Sequence, residues 1–246
     1  MSRTTSMSRV SAAVFLVSVL IQSAALAAPD PGVTADFDSF GRQVVYLGLA
    51  GTPTLVFRNN CTIAPPPAPA RCVAMNPQPA SSSFVETNLA TLIIPAKSTN
   101  SLLCFALTPS INFQLHNLTG AAQPTARFGV RSTIVLENPL LNDPSLIDPT
   151  TGLPFNGRIN LSLATYSESR SMAAGERDQK QFFFSRHCID GVISRQALQV
   201  NYGLPPGVVN DFFKNDITLT FGAAGDLQLV SGGTYYYGAR IYGDAP

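Results

Sequence analysis

The sequence predicts an all-β fold: a mainly antiparallel β-sandwich, with a jelly-roll-like winding as one form of it, and a short two-helix insert near residues 190–214. Three observations lead there. Charged residues make up 13% of the chain, about half the usual share. Eighteen glycines and 19 prolines punctuate it, and helix-favouring glutamate and lysine are scarce. Between the turn residues, Val, Ile, Thr, Phe and Tyr recur with the period of two that a half-buried strand requires.

The first 27 residues read as a secretory signal peptide. Arg3 and Arg9 form a basic start, Val10 to Ile21 an apolar run, and Ala25-Leu26-Ala27 a small-residue cleavage site. The run is shorter than the roughly 20 residues of a membrane-spanning helix, so cleavage before Ala28 is expected. One secreted or periplasmic domain, 28–246, would remain, with no transmembrane segment. Losing Arg3 and Arg9 takes the formal charge from +1 to −1. A near-neutral chain has no electrostatic footprint for nucleic acid or anionic lipid.

Four cysteines remain: Cys61, Cys72, Cys104 and Cys188. An even count in an exported chain reads as disulfides, and the expected pairs are Cys61–Cys72 and Cys104–Cys188. No C-x-x-C spacing occurs, and only His116 and His187 could complete a zinc site, so no metal is expected. Cys188 and His187 are sequence neighbours, which on a strand point to opposite faces, so a Cys–His pair is disfavoured.

In chain order, RQVVYLGL and TLVFR flank a Gly51-Thr52-Pro53 turn and read as a hairpin. The Pro-rich stretch between Cys61 and Cys72 reads as a surface connector. Phe84–Pro95 is a strand. Ser101–Asn117 reads as two strands broken at Thr108-Pro109-Ser110; in the second, Ile111, Phe113 and Leu115 face in while Asn112, Gln114 and His116 face out. Arg127–Asn138 places Phe128, Val130, Ser132, Ile134 and Leu136 on one face. Gly157–Tyr166 repeats the pattern. The loop between these two strands runs about twenty residues, and long loops are often functional. Its Asp143 and Asp148 are hard-oxygen candidates for calcium, although the spacing is that of ordinary turns and matches no calcium loop.

Ser167–Lys180 reads as an exposed hairpin connection, followed by a Phe182–Cys188 strand. Asp190 is the expected cap of a helix through Val192, Ile193, Ala197 and Val200, ended by Gly203. Pro205 and Pro206 start a second helix with Val208, Val209, Phe212 and Phe213 on its apolar face. ITLTF and DLQLV around GAAG read as a hairpin, and TYYYGARIY is the last strand.

That last strand carries the best surface candidate: Tyr236, Arg240 and Tyr242 share one face, and Tyr and Arg are the residue types enriched at binding hot spots. No nucleophile–base motif, metal spacing or cofactor loop occurs, so no catalytic residue and no cofactor is assigned. The function expected is that of a secreted or periplasmic binding or structural protein, an adhesin, surface or appendage component, with a protein or surface-glycan partner. The lack of Trp counts against a sugar platform. Two alternatives are a secreted hydrolase using two carboxylates drawn from Glu137, Glu168, Glu176, Asp143 and Asp148, and an outer-membrane β-barrel.

Overall fold

The alternating segments do form strands, and the strands are longer than the turn residues imply. A computed structural model describes residues 44–63, 65–185 and 193–245. The signal peptide, Arg186, His187, Cys188, Asp190 and Val192 lie outside the described residues. The strands are β1 (Val44–Gly51), β2 (Leu55–Arg58), β3 (Arg71–Ala74), β4 (Ser82–Ile94), β5 (Leu102–His116), β6 (Gln123–Glu137), β7 (Ile147–Asp148), β8 (Leu153–Pro154), β9 (Arg158–Met172), β10 (Arg177–Phe183), β11 (Ile193–Ser194), β12 (Ile217–Gln228) and β13 (Val230–Asp244). Helices α1 (Arg195–Val200) and α2 (Pro206–Phe212) precede β12.

Two sheets pack as a sandwich. The larger has the order β10-β5-β13-β2-β3, with β1 also on β13 and β11 also on β5; the smaller has the order β4-β12-β6-β9. β7 and β8 pair only with each other, and the other described strands divide between these two sheets without closing into one barrel. Inward faces meet in an aromatic core. Phe113 of β5 stacks on Phe128 of β6 at 4.0 Å, and Phe57 of β2 meets Phe128 edge-on at 5.7 Å. The β6 alternation is as expected: Phe128, Val130, Ser132, Ile134 and Leu136 are all buried.

Several connections differ from the sequence reading, because strand partners are set by the tertiary fold and not by proximity in the chain. β1 and β2 do not form a hairpin. Both lie along the same side of β13, and Thr52 between them exchanges hydrogen bonds with Tyr237. β9 runs on to Met172 in the smaller sheet, and β10 begins at Arg177 in the larger, so Ser167–Lys180 is no hairpin connection. GAAG is the middle of β12, not a turn. A Cβ at Gly222 would stand 2.7 Å from the Glu86 carbonyl oxygen, and one at Gly225 would overlap the Gly129 carbonyl oxygen. Close packing of strands demands these glycines, not chain reversal.

Thr108-Pro109-Ser110 does not break β5. Tyr237, opposite Pro109, turns its N–H and C=O towards Thr52. Pro109 accordingly faces β10, where its carbonyl accepts from the Phe184 N–H. The donor that proline lacks is therefore missing at the end of β10, not inside the β13 ladder.

The two-helix insert is present, but Ser194 caps α1 through its side chain, accepting from the Ala197 N–H at 2.9 Å. α2 starts at Pro206 and buries Val209 and Phe212. The Asn138–Gly157 loop is anchored more firmly than its polarity implies. Leu141, Leu146 and Phe155 are buried, and the Asn138 amide donates to the Phe212 carbonyl at 2.9 Å.

Both open sides of the sandwich are latched by charged groups. On one, Arg71 of β3 donates to the Thr87 and Asn88 carbonyls of edge strand β4 at 3.0 and 2.8 Å. On the other, Lys180 of β10 meets Glu168 of β9 at 2.6 Å and Asp178 of β10 meets Arg170 of β9 at 3.3 Å. Cys61 and Cys72 form a disulfide. Cys104 is disulfide-bonded as well. No helix among the described residues is long and apolar enough to cross a membrane.

Candidate functional site

The outward residues of the larger sheet form one continuous face. Its rows follow from the strand registers. Gln181, Asn112, Thr234 and Val56 lie side by side across β10, β5, β13 and β2; the next row carries Gln179, Gln114 and Gly232. A groove of about 450 Å³ opens over these rows, walled on one side by Arg58 and Asn59. That volume lies within the range of small-ligand clefts.

Two features of β13 make the groove. Ser231 sits in a bulge, and Gly232 and Gly233 follow it beside β5. At Gly233 an added Cβ would stand 2.6 Å from the Asn112 carbonyl oxygen, so only glycine allows this strand separation. At Gly232 the nearest atom to an added Cβ is 3.8 Å away. The missing side chain at 232 is thus the open space next to Gln114. Ser231 Oγ donates to Gln114 Oε1 at 2.8 Å, which fixes the amide and turns its nitrogen the other way. Asn112, Gln179 and Gln181 make no side-chain hydrogen bond among the described residues. Their donors and acceptors are uncommitted.

The floor is stiff. The inward neighbours of these groove residues are Phe57, Phe113, Leu115 and Tyr235, all buried. Tyr235 Oη pairs with Ser132 Oγ of the opposite sheet at 2.6 Å, and the Tyr237 hydroxyl donates to the Gly222 carbonyl at 2.7 Å. Burial pushes the Tyr235 phenol up to about 12 despite the Ser132 hydrogen bond, and burial raises Tyr237 further. Both therefore stay protonated and hydrogen-bonded at neutral pH. Such preorganised backing lowers the ordering cost of binding.

The chemistry of the lining is narrow. Among the described residues around the groove, Arg58 alone is charged, and no carboxylate, imidazole, thiol or amine is present. Nothing there exchanges protons near neutrality.

The sequence-chosen residues are placed as follows. Tyr236 is 43% exposed at the end of the groove, opposite Ser110 of β5. Arg240 and Tyr242 continue along the same outward face, but Tyr242 lies six residues from Tyr236, about 20 Å at strand spacing. Tyr242 instead meets Tyr46 of β1 edge-on at 5.8 Å. The three are one face and not one cluster. Asp143 and Asp148 do not converge on a cation. Asp143 Oδ1 accepts from the Ser145 N–H and hydroxyl, and Asp148 Oδ1 from those of Thr150. The Ser145 hydrogen bonds hold the exposed Asp143 carboxyl below its usual pKa. Both are turn formers. No group of three metal-ligating side chains occurs among the described residues.

Of the remaining carboxylates, Glu168 and Glu176 belong to one ion-pair network with Asp178, Arg170 and Lys180. Glu168 is held by the Tyr166 hydroxyl at 2.9 Å and by Lys180 at 2.6 Å. This hydrogen bond raises the Lys180 pKa, and burial with Glu168 raises Tyr166. Glu176 pairs with Arg170 at 3.0 Å, and Glu137 lies opposite Arg158 on the outer face of the smaller sheet. Sequence reasoning had Asn112 and Gln114 on an outward polar face but overlooked Gln179 and Gln181. Their alternation with Lys180 and Phe182 was the available signal.

The chain matches no known family and no curated protein. Among solved structures it overlaps a chain of the T13 IBDV viral particle, at 7% identity and a TM-score of 0.16. The overlap takes in 87% of this chain and 42% of that one. So slight an overlap does not identify a shared fold.

Proposed function

We propose that this is an exported binding protein, periplasmic or extracellular, that holds its ligand in the amide groove and does not turn it over. The observation that carries the reading is the groove itself. Uncommitted Asn112 and Gln179 amides line a cleft with a stiff aromatic floor, and Gln181 stands beside Asn112 at its edge. Uncharged donors and acceptors in such a cleft favour a neutral polar ligand, because each unmet hydrogen-bonding group of the site selects a partner of matching polarity. The Cys61–Cys72 disulfide accords with an oxidising compartment. The same disulfide ties down the chain that begins at Asn59 on the groove wall.

The test uses one variant that fills the groove. Gly232→Leu puts a side chain into open space without backbone conflict. Wild type and variant are titrated by calorimetry with neutral hexasaccharides, an oligogalacturonate and an extended peptide, and the ligands are recovered for mass spectrometry. The reading expects a ligand that binds wild type, fails to bind Gly232→Leu and is recovered intact. Cleaved ligand would establish the enzyme alternative, and equal binding by both proteins would move the site elsewhere.

A further inference from the structure

One row beyond the amides, the same face carries an arrangement that specifies the ligand further. Phe183 of β10, Ser110 of β5 and Tyr236 of β13 are direct cross-strand neighbours. Phe183 is 67% exposed and Tyr236 43%. Two exposed aromatic side chains thus flank one small hydroxyl. Adjacent strands stand about 4.8 Å apart, so the two aromatic Cβ atoms are roughly 10 Å apart. A ring stacked between two flat faces needs about 3.5–4 Å of contact distance on each side. The row is therefore a slot with room for a single ring, with Ser110 as its floor. Asn112, Gln181 and Thr234 lie two residues further along their strands, about 7 Å away.

We infer that the ligand is a neutral glycan chain, one sugar ring of which sits between Phe183 and Tyr236 over Ser110 while the hydroxyls of the next ring bond to the amides of Asn112, Gln181 and Gln114. The inference rests on the amide groove being the binding site. The slot asks for a ring with apolar faces and a polar edge. A pyranose has both: its axial C–H groups meet the aromatic faces, and its equatorial hydroxyls reach the serine and the amides. An aromatic side chain of a peptide would satisfy the faces but cover Ser110 and the amides without bonding to them, a poorer match. The absence of Trp is offset by using two smaller rings in place of one large one. Among the described residues that line the groove, Arg58 alone is charged, and the amides between it and the slot suit uncharged hydroxyls.

Cellohexaose, xylohexaose and chitohexaose are the probes, titrated by calorimetry against the full secreted chain. The variants are Phe183→Ala, Tyr236→Ala, Ser110→Phe and the double variant Asn112→Ala/Gln114→Ala, with melting temperature as a folding control. The expected result is that at least one hexasaccharide binds. Phe183→Ala and Tyr236→Ala should each weaken it about tenfold or more, the loss typical of an anchoring aromatic. Ser110→Phe, which fills the slot, should abolish binding, and a folded variant that still binds would overturn the proposal. Phe183 is exposed, so its truncation leaves the fold intact and keeps the test independent of stability. If the double amide variant loses binding while both aromatic variants stay within about twofold of wild type, the slot is wrong and the groove stands. If an oligogalacturonate or an extended peptide binds in a groove-dependent way and no neutral hexasaccharide does, the ligand class is wrong and the groove stands. If none of the probes binds, the neutral-glycan assignment is rejected.

Discussion

Ser132 and Tyr235 make the clearest test of how the two sheets hold the groove in shape. Ser132 lies on β6 and Tyr235 on β13, both buried, with their oxygens 2.6 Å apart. Removing either hydroxyl alone leaves the other buried without its partner. A buried unsatisfied polar group costs about 1–3 kcal/mol, whereas replacing both partners by apolar groups is nearer neutral. Tyr235→Phe and Ser132→Ala should each destabilise by about 2 kcal/mol. In a chain of this size that corresponds to a fall of roughly 4–8 °C in Tm. The double variant should lose about 2 kcal/mol in all, well short of the additive figure of about 4, giving a coupling energy of about 2 kcal/mol. Urea denaturation of the four proteins, with disulfides intact and m-values unchanged, reads this directly. A double variant whose loss equals the sum of the singles within about 0.5 kcal/mol would show that the two hydroxyls do not bond, and the sheet-to-sheet account of the groove floor would fail.

Three other outcomes follow from the same contacts. Tyr235 and Tyr237 have phenol pKa values raised by burial, Tyr235 to about 12. Unfolded phenols ionise near 10, so stability should hold below that pH and then fall by about 1.4 kcal/mol per pH unit for each tyrosine. Tyr235→Phe should flatten that alkaline slope, and an unchanged slope would contradict the assignment. At the acid end, burial acts to raise the Asp244 pKa, but hydrogen bonds from Thr99, Ser101 and Asn100 outweigh it and hold the carboxyl below its usual value. Its contribution is therefore present above about pH 4 and lost as pH falls further. Asp244→Asn should cost about 1.5–3 kcal/mol at neutral pH and lessen the acid-side loss, a difference that urea titrations at pH 7 and pH 3 would show or refute. Replacing Cys61 and Cys72 by Ser opens a loop of sequence separation 11, worth about 3 kcal/mol in the chain-entropy description. Ligand affinity should fall with it, because Asn59 loses its anchored neighbour; equal affinity would detach that wall from the site.

Faces were legible in the sequence and partners were not. The β6 alternation put Phe128 and Ser132 inside without any knowledge of the other sheet, because a strand's pleat is a local property. GAAG, in contrast, reads locally as a turn. Only the approach of Glu86 and Gly129 shows that Gly222 and Gly225 serve close strand packing. Pro109 misleads in the same way, since its tolerance depends on which side of β5 ends first. The site has the same division. Outward Asn112 and Gln114 could be read from alternation, and Tyr236 from its residue type. The row Phe183–Ser110–Tyr236 joins residues distant in sequence through two strand registers, which no local pattern encodes. Arg240 and Tyr242 were grouped with Tyr236 by face alone, and the distance along the strand separates them.

The side-chain amide protons of Asn112, Gln114, Gln179 and Gln181 report on the groove without a mutation. In ¹H–¹⁵N spectra of the protein, each NH₂ gives a pair of signals, assignable by single Asn→Asp and Gln→Glu variants. Titration with a ligand identified by calorimetry should shift these four pairs, with the Tyr236 backbone signal, before any others. Gly232→Leu should remove the shifts. If the ligand binds with calorimetric saturation and the four amide pairs stay where they are, the groove is not the binding site and the account of this protein's function is wrong.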